Sequence, residues 1–259
     1  MEEKIRAACV QFTVKLGDVE GNLRHVKEAL SCVAGEGAQL VVLPEMWSCG
    51  FDYRRLRAHA GQTSRILDDL LLLTERLGLT VVGSLPEPHG EKVYNTAFVV
   101  DRGALAGSYR KMHLFSLMGE DRMLDAGDFS LVAETSLGPV GVLICYDLRF
   151  PELSRRLTLE GARIIAVPGE WPQSRSAHWR TLLQARAIEN QLFVLGANCC
   201  GTTGKLFFGG ESLIVSPRGE LLAAADGEEG EIVAELDLAE IAGFRGEIDC
   251  LGDRRPDCY

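Results

Sequence analysis

The sequence has no C-x-x-C pair, no excess of basic residues and no apolar run approaching the roughly 18–20 residues that cross a bilayer. Each absence removes a class. Without paired cysteines at short spacing, a zinc knuckle or a thioredoxin-like redox site is not expected. With 27 basic against 37 acidic residues the formal charge is −10, which argues against nucleic acid and against anionic membrane surfaces as partners. Met1-Glu2-Glu3-Lys4 gives way at once to a strand-like run rather than to a leader-like apolar stretch, so a cytoplasmic location is expected. Linkers, repeats and low-complexity segments are also missing. Residues 1–259 are therefore read as a single domain.

What is present is an ordinary globular composition, 46% hydrophobic, with strand-like and helix-like periods in alternation. Apolar runs at 5–12, 40–43, 80–85, 140–144, 163–167, 192–197 and 231–236 read as strands. Segments 93–100 with 105–109, and 211–215 with 219–224, read as hairpins. Helical spacing covers 22–34, 65–77, 151–159 and 176–191, with Asn22, Thr63 or Ser64, and Ser176 as expected N-caps. The tail 241–259 shows little periodicity. This order predicts an α/β domain of two packed sheets with helices outside. The eight cysteines (9, 32, 49, 145, 199, 200, 250 and 258) are expected to be mostly reduced core residues, with Cys199-Cys200 as strand-end packing.

Three polar residues stand just after apolar strands, where α/β folds gather their chemistry: Glu45, Lys111 and Cys145. Each alone is accounted for by a solvated loop, a surface lysine or a packed thiol. Together they offer a base, a cation and a nucleophile. Cys145 lies where a strand turns into a helix that starts at Pro151. Outward N–H groups and a partial positive charge at such a junction favour a thiolate and can hold an oxyanion. Attack on an amide carbonyl would place the oxyanion between Lys111 and the N–H of Tyr146, with Glu45 moving the protons. Histidine is the commoner base for a cysteine. His113 and His178 fall near these segments, so a Cys–His enzyme stays open.

Leu43-Pro44-Glu45, then Tyr109-Arg110-Lys111-Met112-His113-Leu114-Phe115, then Cys145-Tyr146-Asp147-Leu148-Arg149-Phe150-Pro151-Glu152 resemble the three signature blocks of the nitrilase-like carbon–nitrogen hydrolase superfamily. Val10-Gln11-Phe12, Asp18 to Asn22 and Ala185 to Gln191 resemble further parts of it, in the same order. The resemblance implies a four-layer α-β-β-α sandwich and a Glu45–Lys111–Cys145 triad without metal or organic cofactor. It also implies a homodimer joined through the helices after the nucleophile, with the tail 241–259 taking part in the contacts. The family's second glutamate corresponds to Glu120, which would orient Lys111 and the substrate nitrogen.

Trp171-Pro172, Arg175-Ser176 and His178-Trp179 resemble the bacterial ω-amidase branch, which implies a small amide bearing a carboxylate as substrate and water as co-substrate. Arg149 and Arg175 are the candidate carboxylate contacts, and both also read as ion-pair residues. Phe51 and Trp171 are candidate apolar walls. Gly169-Glu170 departs from the small and aromatic residues expected before Trp171. A deaminated-glutathione-like amide, an N-carbamoyl compound, a nitrile, or a non-catalytic binding role on the same fold are the alternatives.

Overall fold

The computed structural model describes residues 4–258. The chain runs β1 (Lys4–Gln11), α1 (Val19–Gly35), β2 (Leu40–Val42), α2 (Leu56–Ala60), α3 (Thr63–Leu77), β3 (Thr80–His89), β4 (Lys92–Asp101), β5 (Ala104–Arg110), α4 (Glu120–Met123), β6 (Val132–Thr135) and β7 (Gly138–Val142). It continues through α5 (Pro151–Leu159), β8 (Ile164–Gly169), α6 (Ser176–Asn190), β9 (Phe193–Asn198), β10 (Cys200–Thr203), β11 (Leu206–Gly209), β12 (Leu213–Val215), β13 (Leu221–Ala224), β14 (Gly230–Asp237) and α7 (Ala239–Glu247). Two six-stranded sheets result, ordered β14-β1-β2-β3-β4-β5 and β13-β12-β9-β8-β7-β6; β10 and β11 form a separate hairpin. Each large sheet has a parallel centre, β1-β2-β3 in one and β7-β8-β9 in the other, flanked by antiparallel strands.

The alternation of side chains along a strand sets the layers. Ile5, Ala7 and Cys9 of β1, with Leu40 and Val42 of β2, join the core that contains the second sheet. Ala8, Val10 and Val41 point the other way, onto α1 and α3 through Val26, Leu30, Ile66 and Leu70. On the second sheet, α5 and α6 supply Leu153, Leu157, Trp179, Leu183 and Ala187. The approach is close. A Cβ on Gly196 of β9 would stand 2.6 Å from Leu183 Cδ1, so only glycine lets α6 sit there. The α-β-β-α order is as expected from the sequence.

Several local expectations change. Asp18, not Asn22, caps α1 by accepting the Gly21 N–H at 3.1 Å. Asn22 lies buried in the first turn and ties Lys15 to Ser48. α3 and α6 begin at Thr63 and Ser176 without a side-chain cap, and Thr63 Oγ1 donates instead to the Pro86 carbonyl across to β3. The tail contains α7, and Gln191 Nε2 donates to the Ile248 carbonyl to hold it. All eight cysteines are free, and five of them, Cys9, Cys49, Cys145, Cys199 and Cys200, are buried. Among the described residues no helix is long and apolar enough to cross a membrane.

Candidate active site

The ends of β2, β5, β7 and β8 meet at one place, and each contributes an ionisable side chain. Glu45 follows β2, Lys111 follows β5, Cys145 follows β7 and Glu170 follows β8. The Glu45 N–H donates to the Gly169 carbonyl at 3.2 Å, and the Glu170 N–H donates to Glu45 Oε2 at 3.2 Å, so the two sheets are stitched together at this point. Lys111, fully buried, donates to Glu45 Oε1 at 2.7 Å. The same ammonium lies 2.9 Å from Glu120 Oε1 and 2.8 Å from Oε2. Glu120 opens α4 and also accepts the Phe115 N–H through Oε2. Asn95, in the middle of β4, donates to Glu45 Oε1 at 2.7 Å.

Burial dominates the electrostatics. It pushes the Cys145 thiol well up, the Glu45 carboxylate adds to this, and the Lys111 ammonium only partly offsets it. These influences hold Cys145 toward its thiol form, against the pull toward a thiolate expected at the strand end. Two reasons are visible. The segment after β7 is a short 3₁₀ turn, Cys145–Arg149, with little dipole to offer, and a carboxylate stands beside the sulfur. Burial likewise raises the Glu120 carboxyl to about 7 against the pull of Lys111. Lys111 is held well above the usual lysine range because Glu45 and Glu120 outweigh the cost of its burial. Glu170 is pushed well up by burial, with Glu45 and Glu120 reinforcing the effect.

Cys145 sits at φ +44°, in the left-handed region that a residue with a Cβ enters at a cost. Asp147, fully buried, holds the turn: it accepts the Ile144 N–H at 3.0 Å, the Tyr109 hydroxyl at 2.8 Å and the His113 N–H at 3.0 Å. His113 Nδ1 lies 2.8 Å from Asp147 Oδ1, and the ring stacks on Phe150 at 3.6 Å. His178 meets Arg149 at 3.3 Å. Neither histidine pairs with Cys145 among the described residues; the base beside the thiol is Glu45, and the Cys–His reading finds no geometry. The N–H of Tyr146 enters no backbone hydrogen bond among the described residues.

A small cleft opens over the sulfur. Glu45, Glu120, Cys145 and Glu170 form its polar floor, and Phe51, Phe115, Met118, Tyr146, Trp171 and Pro172 its walls. Arg149 and Arg175 complete it. The Arg149 guanidinium lies 4.5 Å from the Trp171 ring centroid, and that of Arg175 5.6 Å from Phe115. Neither arginine forms an ion pair among the described residues, although both are half-buried. The site residues expected from the sequence thus line one cleft, except Lys111, which is buried against Glu45 and Glu120. Asn95 and Asp147 carry no signal of their own in the sequence, and Glu170 stands there only as a departure from the residues expected before Trp171. Among the described residues no group of three or more His, Cys, Asp or Glu side chains is arranged to hold a metal ion.

With this geometry in view, a model of the carbon–nitrogen hydrolase family matches residues 6–245. The chain belongs to the carbon–nitrogen hydrolase family. A 2-oxoglutaramate amidase of Bacillus subtilis is 39% identical to this carbon–nitrogen hydrolase, over 97% of this chain and 98% of the relative. A carbon–nitrogen hydrolase from Helicobacter pylori G27 superposes with a TM-score of 0.93 at 26% identity, covering 99% of this chain and 97% of its own. The amidase from Nesterenkonia sp. AN1 superposes at 0.88 with 30% identity, over 98% of this chain and 95% of its own, and in that structure the acetamide moiety of fluoroacetamide is joined to the active-site cysteine.

Proposed function

We propose that this carbon–nitrogen hydrolase is an ω-amidase, which hydrolyses the terminal amide of a short 2-oxo dicarboxylic acid monoamide such as 2-oxoglutaramate. The observation that carries the reading is the pair of half-buried guanidinium groups without a carboxylate partner among the described residues, Arg149 and Arg175, in the same cleft as Cys145. A partly desolvated cation favours a counter-ion, and a substrate carboxylate would supply it. The 2-oxoglutaramate amidase of Bacillus subtilis supports the same choice.

Glu45 takes the thiol proton as the sulfur attacks the amide carbon. The C–S bond forms, and the oxyanion is met by the Lys111 ammonium and the Tyr146 N–H. Glu45 returns the proton to nitrogen, the C–N bond breaks and ammonia leaves. Water, deprotonated by Glu45, then attacks the thioester carbon and releases the acid with Cys145 as thiol. Glu120 fixes Lys111 on the side away from Glu45. The chain acts as one domain in the cytoplasm and pairs with a second copy through α5, α6 and the tail; exposed Ile188 and Ile248 offer apolar contacts there. Ammonia release from 2-oxoglutaramate, 2-oxosuccinamate, glutamine, N-carbamoyl amino acids, deaminated glutathione and simple nitriles tests the assignment. The two 2-oxo amides should be turned over fastest; no ammonia from either overturns it.

A further inference from the structure

Amide hydrolysis presents the cleft with one carbonyl oxygen and two N–H donors. The oxygen has the Tyr146 N–H, which holds no backbone partner among the described residues, to meet it. The N–H groups need acceptors, and most acceptor oxygens here are already committed. Glu45 Oε1 receives Lys111 and Asn95, and Oε2 receives the Glu170 N–H. Both oxygens of Glu120 face Lys111, and Oε2 also receives the Phe115 N–H. Glu170 differs. Its side chain is 3% exposed and lines the cleft, it forms no ion pair among the described residues, and its Oε2 is buried without a hydrogen-bond partner. Its own backbone is bound to Glu45, which places the residue at the reacting end of the cleft.

We propose that Glu170 is a specificity-determining residue that recognises the scissile amide: its carboxyl group, uncharged, accepts a hydrogen bond from the substrate N–H. An ionised carboxylate without a partner is not tolerated in so buried a place, and the nearby ammonium is spent on two other glutamates. The charged and titratable groups around it are Glu45, Lys111, Glu120, Cys49, Tyr53, Cys145 and Cys199, with Arg149 and Arg175 lining the same cleft, and burial raises Cys49, Tyr53 and Cys199 toward their neutral forms. An uncharged acid also spares an anionic substrate a third negative charge. The inference deepens the amidase reading given above and rests on it. It explains why a glutamate occupies the place where a small or aromatic residue is expected from the sequence.

The test compares amides with esters of the same acid, because an ester lacks the N–H. Hydrolysis is followed for 2-oxoglutaramate and its methyl ester analogue, and for butyramide and methyl butyrate. Glu170→Leu should cut kcat/KM for both amides by about tenfold or more while leaving both esters within about threefold of wild type. Glu170→Gln keeps an uncharged acceptor and should rescue the amides to within about threefold. Equal losses on amides and esters in the leucine variant would show a merely structural residue, and collapse of amide turnover in the glutamine variant would show that an ionised carboxylate is required; either overturns the proposal. Alkylation of Cys145 by chloroacetamide against methyl chloroacetate gives the same comparison without turnover. If wild-type enzyme hydrolyses butyramide but not 2-oxoglutaramate, the ω-amidase assignment fails while Glu170 is still judged on the butyramide pair.

Discussion

Lys111 and Glu120 are joined twice, with the ammonium 2.9 Å from one carboxylate oxygen and 2.8 Å from the other. The same ammonium also reaches Glu45 Oε1 at 2.7 Å. A compact, fully buried cation is thus clamped between two carboxylates that themselves line the cleft.

Removing that cation should therefore hurt both folding and chemistry. Lys111→Met leaves two buried carboxylates facing each other, a loss of about 3–5 kcal/mol. Lys111→Arg keeps the charge, but the planar fork does not fit the space of an ammonium. Both variants are expected to lose activity by about a thousandfold, with the methionine variant melting lower than the arginine variant. Thermal denaturation and single-turnover ammonia release check this.

Glu120 gives stability a pH dependence of definite sign. Its carboxyl is raised from 4.5 to about 7 in the fold, so the native state binds more protons than the unfolded chain between those values. The stabilisation is complete below about pH 4.5 and is lost as pH rises through about 7, a contribution on the order of 3 kcal/mol. Melting curves between about pH 5 and pH 8 should fall with rising pH in the wild type and flatten in Glu120→Gln. An unchanged slope in that variant would assign the dependence elsewhere.

The left-handed backbone at Cys145 predicts an order among its inactive variants. Alanine keeps the Cβ and its clash, whereas glycine does not. Cys145→Gly should be more stable than Cys145→Ala by roughly 1 kcal/mol, the reverse of the usual ranking. Chemical denaturation of the two variants measures it directly.

Arg149 and Arg175 should act on affinity for acids alone. Substituting either by methionine is expected to raise KM for 2-oxoglutaramate about tenfold or more while KM for butyramide stays within about threefold. Equal effects on the two substrates would remove them from carboxylate recognition and return them to structural roles.

The candidate catalytic residues are legible because each follows an apolar strand, a local signal that survives without knowledge of the neighbours. Cys145, Glu45 and Lys111 lie far apart in the chain, yet β2 and β5 of one sheet and β7 of the other end at the same place, where the Glu45 N–H meets the Gly169 carbonyl. The layer order was legible for the same reason. Asn95 was hidden inside the apolar run of β4, where a polar residue gives no sign of which distant group it will bond. Asp147 was hidden inside a block read for its cysteine. β6 and the β10–β11 hairpin escaped because four-residue strands carry too little alternation. Asn22 precedes the periodic residues and so reads as a cap, but Asp18 reaches the Gly21 N–H instead.

The central claim is that the acyl group passes through the sulfur of Cys145. Wild-type enzyme turning over 2-oxoglutaramate, quenched in acid within the first turnovers and analysed by intact mass and peptide mapping, tests it most directly. The account predicts one acyl adduct, on the Cys145 peptide, absent from exposed Cys32, Cys250 and Cys258 and absent from Cys145→Ala, which should release no ammonia. Ammonia release by Cys145→Ala, or an adduct carried by another cysteine, would contradict it.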